Sequence, residues 1–299
     1  MVFQPLDPNR PPGRRLRFKP IPVRVLLPNV ITLLALCAGL TAIRMAFENR
    51  LDLALGAIVF AALLDGIDGR VARMLKGTSR FGAELDSLAD FVNFGVAPAL
   101  ILYFWGLFEL KSVGWIAALV LAICAALRLA RFNVMADVPN QPSWAGNFFT
   151  GIPAPAGAIV VLLPIYLNFL GADRGKTMVW ASFVYTLVIA LLMVSRLPVF
   201  SGKQVGKRVP PEMVLPVFVV VVLFIALLVS YPWEVLSTGT FIYLACLPLG
   251  WLSHRSYRRK DIAAAQAAGE GAKPEAAATD TPLPGETTSD AEDRPNRLN

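Results

Sequence analysis

Histidine is almost missing from the sequence: His254 is the only one, and it lies in the basic run His254-Arg255-Ser256-Tyr257-Arg258-Arg259-Lys260. A zinc site or a histidine base has no material here, so acid–base work falls to carboxylates, Lys, Tyr or Cys. Cysteine is scarce as well. Cys37, Cys124 and Cys246 each sit inside an apolar block without a partner at metal-ligand spacing. They read as small buried hydrophobes, and no disulfide framework follows. Charge is thin, at 16% Asp, Glu, Lys and Arg, against about 25% in soluble domains. The proline-rich, basic start from Met1 to Lys19 runs on into an apolar block with no small-residue cleavage pattern, which argues against a cleaved signal.

What fills the chain instead is hydrophobic residue, 56% of 299 positions, gathered in blocks. Crossing a bilayer takes about 20 residues of helix, and the blocks reach that length repeatedly. Eight spans are expected: about Asn29 to Phe47, Leu51 to Met74, Phe81 to Tyr103, Val113 to Phe132, Pro153 to Leu170, Met178 to Leu197, Met213 to Ser230 and Val235 to Ser253. The fold class is therefore all-α, a polytopic integral membrane bundle. Trp105 and Phe108, just past the third span, suit a membrane interface.

The net charge of +7 hides an asymmetry. Residues from Asp261 onward hold eight acidic and three basic side chains, a net of −5, which leaves +12 for residues 1–260. The basic residues flank spans, so they indicate a membrane surface and not nucleic acid. Lys76 and Arg80, Arg128 and Arg131, the group Arg196, Lys203, Lys207 and Arg208, and the run from His254 alternate with barely charged turns. The positive-inside rule puts that set, and with it both termini, in the cytoplasm. Four parts follow: a basic juxtamembrane segment over 1–27, a six-span domain over 28–200, two further spans over 201–260, and a tail over 261–299. The tail is rich in Ala, Glu, Pro, Thr and Gly and lacks the apolar surface needed to offset ordering entropy.

The chemistry concentrates in one stretch. Asp65 and Asp68 are i and i+3 on the second span; Asp86 and Asp90 are i and i+4 on the third. Each pair shares a helix face, and the link from Leu75 to Arg80 is short enough to make the two helices antiparallel neighbours. Each Asp costs about 2.5–3.5 kcal/mol at mid-bilayer, and four together repel unless a cation intervenes. Oxygen ligands on rigid helices suit Mg²⁺ or Mn²⁺, and a two-ion site clamping a pyrophosphate is the sharpest reading. Gly69, Ala72 and Gly82 leave room beside these carboxylates, and Arg73 can offer a forked donor to a phosphate oxygen. Taken singly, the small residues also suit close helix packing, and Arg73 suits a positive-inside position. Glu84 lies off the Asp86/Asp90 face.

The pattern Asp-x2-Asp-Gly-x2-Ala-Arg-x8-Gly-x3-Asp-x3-Asp, filled by Asp65, Asp68, Gly69, Ala72, Arg73, Gly82, Asp86 and Asp90, resembles the signature of the CDP-alcohol phosphotransferases. Further segments resemble its membrane-embedded bacterial and archaeal branch that uses serine: Phe94-Gly95-Val96-Ala97-Pro98, Leu127-Arg128-Leu129-Ala130-Arg131-Phe132-Asn133, Gly151-Ile152-Pro153-Ala154-Pro155 and Met193-Val194-Ser195. The likeness covers roughly residues 26–205. Position 93 departs from it, with Asn where Ser or Thr is expected.

The resemblance implies transfer of the phosphatidyl group of CDP-diacylglycerol to the hydroxyl of L-serine, with release of CMP. It implies two divalent ions, Mg²⁺ or Mn²⁺, on Asp65, Asp68, Asp86 and Asp90, with Asp90 also the general base. Gly69, Ala72, Arg73 and Gly82 would line the nucleotide site. Arg128 and Arg131 are hypothesised contacts for the serine carboxylate, with Asn133 beside them; ordinary positive-inside residues are the alternative for both arginines. A homodimer, and a cytoplasm-facing site in the inner membrane supplied with lipid from that leaflet, complete the expectation. The nearest alternative changes the acceptor to glycerol phosphate, inositol phosphate or choline. A divalent-cation transporter is a further one, but it needs acidic residues along a route across the bilayer. Between Pro153 and Pro198 there is only Asp173.

Overall fold

The computed structural model describes residues 23–75, 79–136, 148–195, 198–200 and 211–248. The expectations for the basic start, for Lys203 and Lys207, and for the acidic tail fall outside these residues. Helices dominate: α1 (Val23–Phe47), α2 (Leu51–Met74), α3 (Arg80–Phe91), a π-helical segment (Val92–Val96), α4 (Ala97–Trp105), a 3-10 turn (Leu107–Leu110), α5 (Ser112–Ala136), α6 (Ala154–Val161), α7 (Leu163–Phe169), α8 (Lys176–Val194), α9 (Pro211–Ser230) and α10 (232–248). With α3 running into α4 and α6 into α7, these make eight helical segments among the described residues, as the apolar blocks lead one to expect. Two strands, β1 (Phe148–Thr150) and β2 (Pro198–Phe200), pair antiparallel between loops.

Among the described residues, five segments are long and apolar enough to cross a membrane: Leu26–Phe47, Arg80–Trp105, Ser112–Met135, Lys176–Val194 and Met213–Ser230. α2 has 24 residues but carries Asp65, Asp68, Arg70 and Arg73 toward its C-terminal end. The surface is apolar in a way water does not tolerate: Phe60, Leu63, Ile123, Trp180, Leu191 and nearly every side chain of α9 are exposed. Exposed aliphatic belts of this kind mean lipid contact. This is an all-α membrane protein.

Small residues decide how closely the first helices approach. Ala35, Ala42 and Ala46 of α1 and Ala54 and Ala61 of α2 are buried, with Leu55 and Ile58 between them; such faces let backbones come near where lipid gives no hydrophobic drive. Gly39 of α1 goes further: a Cβ there would fall onto the amide of Asn93, 2.9 Å from its Cγ.

Two of the expected spans are broken, each next to a proline. Pro98 has no N–H to give the carbonyl one turn earlier, and the chain passes through the π-helical segment, where the Ala97 N–H reaches Val92 O. Pro164 interrupts the span expected over 153–170 in the same way and divides it into α6 and α7. The carbonyl it leaves without a helical donor, Val160 O, accepts the Tyr185 hydroxyl at 2.8 Å instead. Trp105 corrects a second expectation. Its ring does not face outward as an interface anchor would but is fully buried, its Nε1 donating to Asn168 Oδ1 at 3.2 Å. Arg174 closes the same end of the bundle by donating to Trp105 O at 2.6 Å.

Candidate active site

α2 and α3 bring the four aspartates together at the end of the bundle opposite Trp105, which lies 15 residues beyond Asp90, about 22 Å along a helix. α3 begins at Ser79, whose Oγ accepts the Gly82 N–H at 3.0 Å; this N-cap sets the phase at which Asp86 and Asp90 leave the helix. Asp65, Asp68 and Asp86 each offer a carboxylate oxygen, and those oxygens lie within 4.8 Å of one another. Asp90 is not in that trio. It stands within hydrogen-bond reach of Asp65 and in the field of Arg128.

The trio fits a divalent cation. It is an all-oxygen donor set from two rigid helices, as Mg²⁺ and Mn²⁺ prefer, and close like charges of this kind call for a counter-ion. Asp68 is the least exposed of the three, at 3%, and its Oδ2 accepts the Thr32 hydroxyl of α1 at 2.8 Å. That bond fixes one carboxylate face and leaves the remaining lone pairs for a ligand.

Two cavities flank the cluster. The smaller, about 190 Å³, is lined by Asp68, Gly69, Ala72, Arg73, Gly82 and Asp86, with Pro28, Asn29 and Thr32 of α1 as its third wall. All four residues expected at the nucleotide site are in this lining. A Cβ at Gly69 would meet no atom within 4 Å, so its missing side chain is open space; one at Gly82 would come within 2.8 Å of Asn29 Oδ1. The larger cavity, about 540 Å³, is lined by Asp65, Glu84, Asp86, Ser87, Asp90, Arg128 and Asn133 among others. Asp86 borders both.

The residues expected at the acceptor side separate. Arg128, 8% exposed, lines the larger cavity and lies 5.5 Å from the centre of the Phe132 ring. Asn133 also lines it and donates its Nδ2 to Ser87 Oγ at 2.9 Å, tying α5 to α3. Arg131 is not in that lining: its Nη1 donates to Val194 O at 2.6 Å, where α8 ends. Gly151 sits against the same helix end at φ 77°, where a Cβ would come within 2.9 Å of Ser195 O; only glycine combines that backbone with that approach. Glu84, expected off the site, borders the larger cavity.

Sequence reasoning placed α1 as a span but gave it no part in the site. Asn29 and Thr32 are i and i+3 at the start of an apolar span, and two polar residues on one face there were the available signal. Pro153 and Pro155 also border the larger cavity, a role that span assignment alone does not suggest.

Fold and site together define a membrane-embedded helical protein whose acidic cluster joins two cavities at one end of the bundle. The chain belongs to the CDP-alcohol phosphatidyltransferase family: the family profile matches residues 25–192, and that of CDP-alcohol phosphatidyltransferase 2 matches residues 212–248. It is 40% identical over 230 residues to a CDP-diacylglycerol–serine O-phosphatidyltransferase of Mycobacterium bovis, across 77% of this chain and 79% of that protein. The protein of the same name from Mycobacterium leprae is 41% identical, across 75% and 73%. The one from Helicobacter pylori strain 26695 is 35% identical, across 78% and 94%.

Proposed function

We propose that this chain transfers the phosphatidyl group of CDP-diacylglycerol to the hydroxyl of L-serine, giving phosphatidylserine and CMP. The observation that carries the reading is the shared wall: Asp86 borders both a small cavity beside Gly69, Ala72, Arg73 and Gly82 and a larger one beside Asp90 and Arg128. Two substrates that must exchange a phosphoryl group need two sites meeting at one point. The names of the relatives supply the identities of donor and acceptor.

In this reading the small cavity takes the cytidine nucleotide, with Arg73 donating to phosphate oxygens and Thr32 keeping Asp68 in place. Asp65, Asp68 and Asp86 would hold Mg²⁺ or Mn²⁺, as two ions with Asp90 contributing to the second. The chemistry such ions supply is neutralisation of the pyrophosphate and of the departing phosphate. Asp90 takes the proton from the serine hydroxyl as that oxygen bonds to the phosphorus nearest the diacylglycerol. The bond from that phosphorus to the bridging pyrophosphate oxygen breaks, and CMP leaves. Arg128 receives the serine carboxylate and Asn133 borders the same space, while Arg131 clamps α5 to the end of α8.

The site and both termini face the cytoplasm in the inner membrane, a reading supported by the basic residues near this end. A homodimer belongs to the reading through the family resemblance alone. The test is an acceptor screen on purified protein with CDP-diacylglycerol, with and without a chelator. Serine-dependent CMP release that the chelator abolishes is expected. Release with glycerol phosphate, inositol phosphate or choline, and none with serine, would overturn the acceptor.

A further inference from the structure

Arg128 is a buried cation whose donors are unspent. Among the described residues its guanidinium makes no hydrogen bond and no ion pair; the Phe132 ring at 5.5 Å is its one close contact of that kind. Two groups lie within electrostatic range of it, Asp90 and Tyr243. Asp90 borders the larger cavity, whereas Tyr243, on α10, is outside that cavity's lining. Arg128 therefore lines the cavity and has a residue of α10 within electrostatic range.

α10 has unspent polarity of its own. Ser237 and Thr240 are 4% and 2% exposed, and neither hydroxyl has a partner; the Tyr243 hydroxyl, also buried, has none either. Asn93 Oδ1 is the other buried side-chain atom without a partner among the described residues. The three hydroxyls fall at i, i+3 and i+6, a single stripe on a helix. Leu236, Tyr243 and Leu244 pack against the core, so the stripe faces the bundle. Trp233 anchors the other end of α10, stacked on Phe169 at 4.5 Å between ring centres. Buried polar groups are ordinarily hydrogen-bonded, so a stripe of them without partners calls for an explanation.

We propose that Tyr243 is a positioning residue for the acceptor: when a carboxylate enters the larger cavity, the Tyr243 hydroxyl, unbonded in this structure, takes one guanidinium donor of Arg128 and leaves the forked pair turned into the cavity for that carboxylate. A guanidinium has five donors in a fixed plane, so pinning one edge orients the other. The identity of the carboxylate, that of L-serine, rests on the function proposed above; the pairing of Arg128 with Tyr243 does not.

The test compares Tyr243→Phe with the full-length wild type in lipid nanodiscs containing CDP-diacylglycerol, with L-serine and ethanolamine (serine without its carboxylate) as acceptors. Removing a hydroxyl that has no partner leaves the fold intact, so a thermal midpoint at or above that of the wild type is expected. The KM for serine should rise about tenfold, with kcat and the KM for CDP-diacylglycerol within about twofold, as loss of ground-state acceptor binding requires. The preference for serine over ethanolamine should shrink by a similar factor, and Arg128→Lys should make Tyr243→Phe nearly silent. An unchanged serine KM in a wild type that uses serine overturns the role of Tyr243 alone, as does an equal rise in the donor KM. A wild type that ignores serine and uses an acceptor lacking a carboxylate overturns both the acceptor reading and this proposal.

Discussion

Thr32 on α1 donates its hydroxyl to Oδ2 of Asp68 on α2 across 2.8 Å, so the carboxylate cluster is held by three helices and not only by the two that carry the acidic residues. Thr32 is itself 5% exposed, and Asp68 3%. A hydrogen bond to a buried charged group contributes about 1.5–3 kcal/mol. Thr32→Val keeps the shape and removes the donor, so the Mg²⁺ or Mn²⁺ concentration needed for half-maximal activity should rise about tenfold or more. Thr32→Ser should restore most of it. A metal titration of the two variants checks this.

Gly69 and Gly82 border the same cavity but should fail differently. A Cβ at Gly69 meets nothing within 4 Å, whereas one at Gly82 comes within 2.8 Å of Asn29 Oδ1 and 3.1 Å of Ser79 Oγ. Gly69→Val should leave the thermal midpoint close to that of the wild type and raise the KM for the CDP-linked donor, because the side chain fills ligand space. Gly82→Val should lower the midpoint as well, by displacing the α3 cap. Melting curves read beside donor KM values separate the two.

Gly39 against Asn93 is a packing prediction with no chemistry in it. Valine at position 39 must push the π-helical segment away from α1, and overpacking of this kind costs about 1–3 kcal/mol. Gly39→Val should lower thermal stability in detergent by several degrees, and a midpoint equal to that of the wild type would show that the two helices do not pack so closely.

The two arginines of α5 should also come apart. Arg131 ties α5 to Val194 O, so Arg131→Ala should lower the thermal midpoint and leave the serine KM within about twofold, the loss being that of a charged hydrogen bond. Arg128→Ala should do the reverse, raising the serine KM with little effect on melting. Steady-state kinetics on serine and a thermal shift assay on both variants decide it.

How much of this was legible in the chain depends on what each residue had to work against. The four aspartates stood out because a carboxylate inside an apolar span is expensive enough to need a reason, and their spacing already put each pair on one face. The eight helical segments followed from apolar length alone. Hydropathy, however, cannot see a missing N–H, so the breaks at Pro98 and Pro164 were hidden in continuous apolar runs. Trp105 read as an interface residue because it ends a span; its partner Asn168 lies 63 positions away. Thr32, Arg131 and Tyr243 were obscure for the same reason. Each has a role set by a helix distant in sequence, which no local pattern records.

Asp90 differs from the other three carboxylates by lying outside the trio and in the field of Arg128. Asp90→Asn keeps the volume and removes the proton acceptor. Turnover should fall by at least about a hundredfold, the lower end of what a positioned general base contributes, while binding of a CDP nucleotide largely survives. Retained turnover would take Asp90 out of the role of base.

The most direct measurement is Mn²⁺ binding to metal-stripped protein in nanodiscs, followed by electron paramagnetic resonance for the wild type and for Asp65→Asn, Asp68→Asn and Asp86→Asn. Saturable binding in the wild type that weakens at least about tenfold in each variant is expected, since each removes one charged oxygen ligand. Binding of equal strength in all four proteins would contradict a cation held between α2 and α3.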